Sequence, residues 1–501
     1  MISQLVTPAL DPVPGNLFSN GLAVGIIAIL HIQFAAYLNG ASTLALVSEG
    51  ISMARNDPRH EHFAHGLIKS SAYVFSLGSA IAIFWVLFIL MGLWGRFFVA
   101  LTQITFWVFV YESGAFFVEI ALLYTIYACW DRLRPYRRAR FGLLILLTMV
   151  LWWQMFLINV VASYMLTPNG GDVNQLGQVL NPTFLPLQLH RTVGNIAWGG
   201  AVIGFYAGLR YLLATREQVR AAERQRLAPA RSVGAMSASH FEQEQAAAAL
   251  AARNERLTYW DWMGQWGVMW AIGLSLFQIW IGYSYAKEVQ LHAYAAWYRM
   301  MFGELSNVFL TQIFLLGMIF ILGCLFFWRR MRASGIRRLW VQKVCFVILV
   351  LAMLLAIQPA WFALSYGSVV SAHLDRAWWD GGLLNPIGNF IPFKVIALTA
   401  MMIFGLVSLT SYLRAYAEGA IIAGQTTRRL QVVLLTLGVA VSIMLAVMGV
   451  IRENSRQPYL INGELRTQGQ QVVGSSPQQS TSSAPQPITG SAPQVQVVDS
   501  R

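Results

Sequence analysis

The stretch 430-LQVVLLTLGVAVSIMLAVMGVI-451 contains no charged residue, and the charge-dense stretch 452-RENSRQPYLINGELRTQ-468 follows it directly. An apolar run of this length can cross the ~30 Å hydrocarbon core of a bilayer as a helix. A lipid-facing helix does not need Arg452, Glu453 and Arg456 so close to its end. The charged stretch is therefore either a solvated helix terminus or a segment that holds a charged group at the membrane surface.

The rest of the chain has the composition of a membrane protein. Of its 501 residues, 56% are hydrophobic and 11% are charged, which is far too apolar for a soluble protein. Ten runs are long enough to span a bilayer, near 21–48, 68–94, 104–130, 141–165, 191–213, 265–286, 304–328, 341–366, 392–416 and 430–451. We therefore expect an all-α, polytopic membrane bundle of about ten transmembrane helices.

The arginines predict the orientation of this bundle. The loops 131-DRLRPYRRAR-140 and 329-RRMRASGIRR-338 carry five arginines each, whereas residues 167–190 contain no Lys or Arg. Because cytoplasmic loops of bacterial inner-membrane proteins are enriched in Lys and Arg, both termini are expected on the outer side. The net charge of +13 is then explained by topology, and a nucleic-acid partner is not expected.

The chain divides into one large domain and a tail. Residues 1–470 are expected to form the transmembrane domain, with a cytoplasmic connection over 215–262. Residues 471–501 are rich in Ser, Gln, Pro and Val, and are expected to be a disordered external tail.

Two histidines lie in the outer half of predicted helices. His31 is in 27-IAILHIQFAAYLNG-40, and His190 opens the fifth helix in 181-NPTFLPLQLHRTVGNIAWGG-200. A buried imidazole within a bilayer usually has a partner or a ligand. A hydrogen-bonded packing role is one interpretation for each, and ligation of a haem iron is the other. No CxxCH or paired CxxC sequence supports haem c or an iron–sulfur cluster.

Two glutamates lie on one face of the third predicted helix. Glu112 and Glu119 are seven residues apart in 109-FVYESGAFFVEIALLY-124, which is two helical turns. Carboxylates within a membrane helix are unfavourable against lipid. They could ligate iron, relay protons or pair with an arginine.

Six segments together resemble subunit I of the cytochrome bd quinol oxidases. These segments are 30-LHIQFAAYLNG-40, 74-VFSLGSA-80, 111-YESGAFFVEIALLYTIYACWDRLR-134, 181-NPTFLPLQLHRTVG-194, 361-WFALSYG-367 and 453-ENSRQPYLINGELRT-467. The first five occur in the order of that family. The sixth resembles a family signature but stands on a later helix than in the family.

The resemblance implies haem-binding roles for particular residues. His31 and Glu112 would serve the oxygen-reactive haem, and Glu119 would belong to a proton path. His190 would ligate a low-spin haem b together with a methionine. Counting back from Trp328 places Gln312 at the methionine position, with Met318 nearby. Glu453 would ligate a high-spin haem b, and Arg456 would lie near its propionates; the alternative is that these two residues only pair with each other.

The function implied by this resemblance is that of a haem-binding subunit of a bd-like terminal oxidase, which passes electrons to oxygen. Haem b is the expected cofactor, haem d is a further candidate, and lipid and a second membrane subunit are the expected partners. The family's quinol-binding loop is missing after the sixth helix. An electron relay between a periplasmic redox partner and quinone, without oxygen reduction, is therefore the alternative function.

Overall fold

The computed structural model describes residues 20–84, 91–168, 181–227, 240–301, 305–337, 339–357, 392–457, 459–463 and 465–466. In these ranges the chain forms thirteen helices and one two-stranded hairpin. The helices are α1 Asn20–Arg55, α2 Pro58–Phe84, α3 Met91–Ile104, α4 Phe106–Leu133, α5 Arg137–Leu166, α6 Phe184–Leu227, α7 His240–Ser275, α8 Gln278–His292, α9 Tyr294–Met301, α10 Ser306–Ala333, α11 Trp340–Ala356, α12 Pro392–Ala417 and α13 Arg428–Asn454. The antiparallel strands are β1 Tyr459–Ile461 and β2 Leu465–Arg466.

The described helices confirm an all-α, polytopic membrane bundle. Within the described ranges, nine segments are long and apolar enough to cross a membrane. Eight of them are single helices, and the ninth, Asn254–His292, runs through α7 and α8. The tenth predicted span, 341–366, begins in the shorter apolar helix α11. Its last part lies within 358–391, which is outside the described residues. The run 68–94 is described in α2 as far as Phe84 and again in α3 from Met91, and residues 85–90 lie outside the described residues.

The predicted connection over 215–262 is largely helical. Helix α6 continues to Leu227 and α7 begins at His240. The predicted tail, 471–501, lies outside the described residues.

One end of the bundle is held together by a buried arginine on α5. Arg140 is completely buried and donates to Glu49 of α1 at 2.5 Å and to Glu61 of α2 at 3.0 Å. Its guanidinium also lies 4.6 Å from the ring centroid of Trp130 on α4. Four helices therefore converge on one side chain.

A second buried arginine joins the later helices. Arg330, near the end of α10, pairs with Asp261 of α7 at 2.6 Å. It also donates to the backbone carbonyls of Ile422 and Gln425, between α12 and α13, at 2.9 and 2.7 Å. His60 of α2 contacts Trp262 of α7 edge-on at 5.0 Å, so both arginine clusters lie at the same end of the bundle.

We call this end the arginine-rich end and the opposite one the distal end. The loops that the sequence assigned to one side of the membrane do lie together. Which side faces the cytoplasm stays a prediction.

Helix α6 lies at the centre because glycines allow its neighbours to approach. A Cβ on Gly199 would lie 2.9 Å from the backbone of Gly40 on α1. A Cβ on Gly200 would lie 2.7 Å from the carbonyl oxygen of Gly267 on α7. Small residues at membrane helix interfaces permit this close contact, and it brings α1 and α7 against two faces of the α6 segment that follows His190.

Candidate functional site

A largely apolar cavity lies inside the distal half of the bundle. It has a volume of about 270 Å³, and its walls come mainly from α6, α8, α10, α12 and α13. Leu166 and Ser455, at the distal ends of α5 and α13, line its outer part. No Asp or Glu is among the described residues that line it, although it contains three basic side chains.

His190 is the first of these basic side chains. It lies in the second turn of α6. Gln278 Nε2 of α8 donates to the His190 carbonyl oxygen at 2.8 Å and so fixes the backbone of this turn. The imidazole Nδ1 is buried and has no hydrogen-bond partner. Gly282 faces the ring, so that a Cβ at that position would lie 3.6 Å from Cε1 of His190. The imidazole therefore has a ring nitrogen available to a ligand in the cavity.

Two arginines accompany His190 in the cavity wall. Arg191 follows it on α6, and Arg452 comes from the last turn of α13. Arg191 donates to Asn159 Oδ1 of α5, and Asn159 Nδ2 donates to Gln188 Oε1 at 2.7 Å. The two guanidinium groups lie within electrostatic range of each other.

Neither of these arginines was predicted as a site residue. The available signal was their position: each stands at the distal end of an apolar span, where a buried charge indicates a partner or a function. The neighbouring carboxylates are Glu112 for Arg191 and Glu453 for Arg452, and both lie outside the cavity lining. A ligand with acidic groups would complement this excess of positive charge.

Two sequence candidates for the second haem ligand differ in their location. Gln312 of α10 lines the cavity with His190, whereas Met318 is not among the lining residues. Met300, Met444 and Met448 also line it, and sequence counting did not identify them. Thioether groups are therefore present in the cavity, although from other helices than expected.

His31 and Glu112 lie near the cavity without lining it. His31 hydrogen-bonds with the backbone of Gly78 on α2, and its neighbour Ile32 is the α1 residue in the cavity wall. Glu112 of α4 is partly buried and interacts electrostatically with Arg191. This arrangement corresponds to the interpretation in which a carboxylate pairs with an arginine. The proposed roles of both residues at an oxygen-reactive haem stay predictions.

Glu119 has different surroundings from Glu112. Its carboxylate is 2% exposed, and Oε2 accepts a hydrogen bond of 3.0 Å from Gln154 Nε2 of α5. The other oxygen, Oε1, is buried without a partner. A carboxyl group with one free oxygen can hold or pass on a proton, so the predicted proton path retains a candidate group here.

Glu453 and Arg456 form an ion pair with each other. The Glu453 carboxylate accepts from Arg456 at 2.5 Å, and the side chains are 43% and 2% exposed, respectively. Neither residue lines the cavity. The pairing that the sequence left as an alternative is therefore present, and haem ligation by Glu453 stays a prediction.

Within the described ranges, no three His, Cys, Asp or Glu side chains form a group that could hold a metal ion.

Comparison with known proteins gives a distant structural likeness. No protein-family model and no curated protein matches the chain. Among solved structures, the bd oxidase from Geobacillus thermodenitrificans is similar with 13% identity and a TM-score of 0.42, over 88% of this chain and 98% of that chain. A likeness at this level says nothing about ligands or activity. Those are inferred below from the residues around the cavity.

Proposed function

We propose that the cavity binds a haem b, with His190 as an axial ligand, and that the chain is a haem-bearing membrane subunit of a bd-like respiratory oxidase. The observation that carries this proposal is the meeting of His190 Nδ1, Arg191 and Arg452 in one apolar cavity without a lining carboxylate. A haem has an apolar ring, two acidic propionates and an iron that accepts an imidazole nitrogen. The apolar walls would accept the ring, Arg191 and Arg452 would accept the propionates, and His190 would accept the iron.

The cavity must widen to accept a complete haem. Its volume of about 270 Å³ lies below the ~300–1,000 Å³ typical of small-molecule sites. Two of the helices that line it carry methionines, Met300 on α9 and Met444 and Met448 on α13. Because methionine is unbranched and has three rotatable bonds, it adapts to an inserted ring more readily than a branched side chain. Together with Gln312, these methionines are the candidates for a second axial ligand.

The surrounding residues would tune a bound haem. A haem supplies one-electron chemistry, and its potential depends on axial ligands, burial and nearby charge. Arg191 and Arg452 would pair with propionates through their planar forks. Their positive charge would favour the reduced iron, and the apolar walls would keep water away. Glu119, with Gln154 beside it, is proposed to carry protons on the separate path through α4 and α5.

An electron relay without oxygen chemistry is the second candidate. Helix α8 ends at His292, and the short helix α9 begins at Tyr294, so a long quinol-binding loop is lacking at this position. This favours a donor other than quinol bound in the manner of the bd family, such as a periplasmic redox partner. The same haem site would serve both functions.

Replacement of His190 by Ala tests the haem site. We expect the purified wild-type protein to give a b-type band in a reduced-minus-oxidised spectrum, and His190→Ala to lose it while still inserting into the membrane. His292→Ala is the matched control, because His292 is 41% exposed and pairs with Glu288 on its own helix. Loss of the band in both variants, or in neither, contradicts the assignment.

Carbon monoxide separates the two functions. A terminal oxidase has a haem that binds exogenous ligands, so carbon monoxide should change the reduced spectrum and the protein should consume oxygen. A relay has only six-coordinate haem, so its spectrum should be unchanged by carbon monoxide. A protein purified without any haem would refute both functions.

A further inference from the structure

Asn462 hydrogen-bonds the hairpin that follows α13 to the distal end of α5. The backbone N–H of Asn462 donates to the carbonyl oxygen of Met165 at 3.0 Å. The side-chain Nδ2 of the same residue donates to the carbonyl oxygen of Leu166 at 3.1 Å. The last carbonyls of a helix have no partners within the helix. Asn462 therefore donates to two of the last carbonyl groups of α5 and links α5 to the hairpin.

The hairpin is joined to α13 through Arg456. The Arg456 guanidinium donates to the Leu460 carbonyl oxygen at 2.9 Å and to Glu453 at 2.5 Å, and the Tyr459 N–H donates to the Arg456 carbonyl oxygen at 2.8 Å. Arg456 thus bonds forward to β1 and back to the last turn of α13. These bonds fix the path of the backbone from the end of α13 into β1.

The hairpin is also packed against the helices beneath it. Leu460 and Ile461 are 2% and 1% exposed and belong to a hydrophobic cluster with Tyr164 of α5 and Phe184 of α6. Gly463 lies in the connecting turn with φ of +76°, a conformation that glycine adopts at little cost. The hairpin is therefore docked against α5 and linked to the end of α13.

These same helix ends form the outer wall of the cavity. Leu166 is the last residue of α5, Leu187 lies in the first turn of α6, and Arg452 and Ser455 belong to the end of α13. A force that separates α5 from α13 would open this wall. It would also move Arg452, because that side chain stands only one turn before Arg456.

We propose that the hairpin Tyr459–Arg466 is a clasp that closes the distal end of the cavity and sets the position of Arg452, with Asn462 as its principal positioning residue. The closure depends only on the protein contacts. The effect on Arg452 rests on the proposed function, since it assumes an acidic cofactor in the cavity. Arg456 acts through the hairpin in this arrangement and does not contact the cofactor.

Thiol labelling tests the closure without any cofactor. Ser455, 8% exposed and in the cavity wall, would be changed to Cys and labelled in membranes with an impermeant maleimide. Asn462→Ala should raise the labelling rate about tenfold or more. Asn454→Ala is the matched control, because Asn454 Nδ2 donates to Val450 within α13, and it should leave the rate unchanged.

The protein without the Ser455 substitution supplies the background from the native cysteines. Cys324 and Cys345 are each 1% exposed, so their continued protection shows that Asn462→Ala remains folded. Equal labelling rates in the Asn462 and Asn454 variants overturn the clasp. Labelling of Cys324 and Cys345 as well would show general unfolding and also count against a local closure.

A double-mutant cycle on the bound haem tests the positioning of Arg452. Asn462→Ala should lower the haem midpoint potential, because Arg452 is then held less closely to the acidic groups. In an Arg452→Gln background the same substitution should cause no further shift, since coupled residues are not additive. Equal shifts in both backgrounds refute positioning through Arg452. Failure to bind haem refutes the proposed function and leaves the labelling result to decide the closure.

Discussion

Replacement of Arg330 by Met should strongly destabilise the bundle. The Arg330 and Asp261 side chains are 0% and 1% exposed and lie 2.6 Å apart. Without the guanidinium, Asp261 becomes a buried anion that retains only its hydrogen bonds from Gly424 and Gln431. Breaking a buried ion pair on one side costs ~3–5 kcal/mol. The carbonyls of Ile422 and Gln425 also lose a donor, so we expect a loss at the upper end of that range.

The chain contains a matched surface pair for comparison. Arg414, in the last turn of α12, and Glu418, directly after its end, lie 2.9 Å apart, and their side chains are 83% and 59% exposed. An exposed i,i+4 pair contributes only about 0.3–0.5 kcal/mol. Arg414→Met should therefore be nearly silent, although it removes the same chemical group from an ion pair of similar length.

Titration with sodium dodecyl sulfate, followed by circular dichroism, would measure the free energy of unfolding. A thiol-reactive dye would give a second signal from Cys324 and Cys345 as they become exposed. The double variant Arg330→Met/Asp261→Leu should recover part of the loss, because no unpaired charge then remains buried. A cost below ~1 kcal/mol for Arg330→Met, equal to that of Arg414→Met, would refute the reasoning.

Three further predictions concern topology and packing. A reporter that is active only in the cytoplasm should give no signal when fused at residue 470, and a strong signal there would show that the C-terminus faces inward. Gly199→Leu should destabilise the protein by several kcal/mol because its side chain would enter the backbone of Gly40, whereas Gly142→Leu, with open space at its Cβ, should have little effect; equal unfolding midpoints would contradict this. Arg140→Met should lower the free energy of unfolding by about 3–5 kcal/mol, because it leaves Glu49 buried and unpaired. Wild-type stability of this variant would contradict the stabilising role of Arg140.

Local sequence determined the membrane class and most of the helices. An uninterrupted apolar run of about twenty residues must satisfy its backbone groups as a helix in lipid, so the spans needed no tertiary information. The arginine-rich loops do lie at one end of the bundle, because every complete span reverses the direction of the chain.

The identity of the residues that line the cavity was decided by tertiary structure. Glu112 and Glu119 share a helix face, yet one interacts with Arg191 of α6 and the other with Gln154 of α5. Their neighbours are set by helix crossings that helix spacing does not encode.

In residues 452–468, too, the sequence alone does not show which side chains contact each other. Arg452 still lies within α13 and reaches the cavity, whereas Arg456 stands beyond Asn454, where the helix has ended. Its side chain holds the hairpin, because past the helix end the backbone direction is set by the contacts of β1 and Asn462 with α5. The sequence places two arginines four residues apart; only the folded chain places one in the cavity wall and the other between α13 and the hairpin.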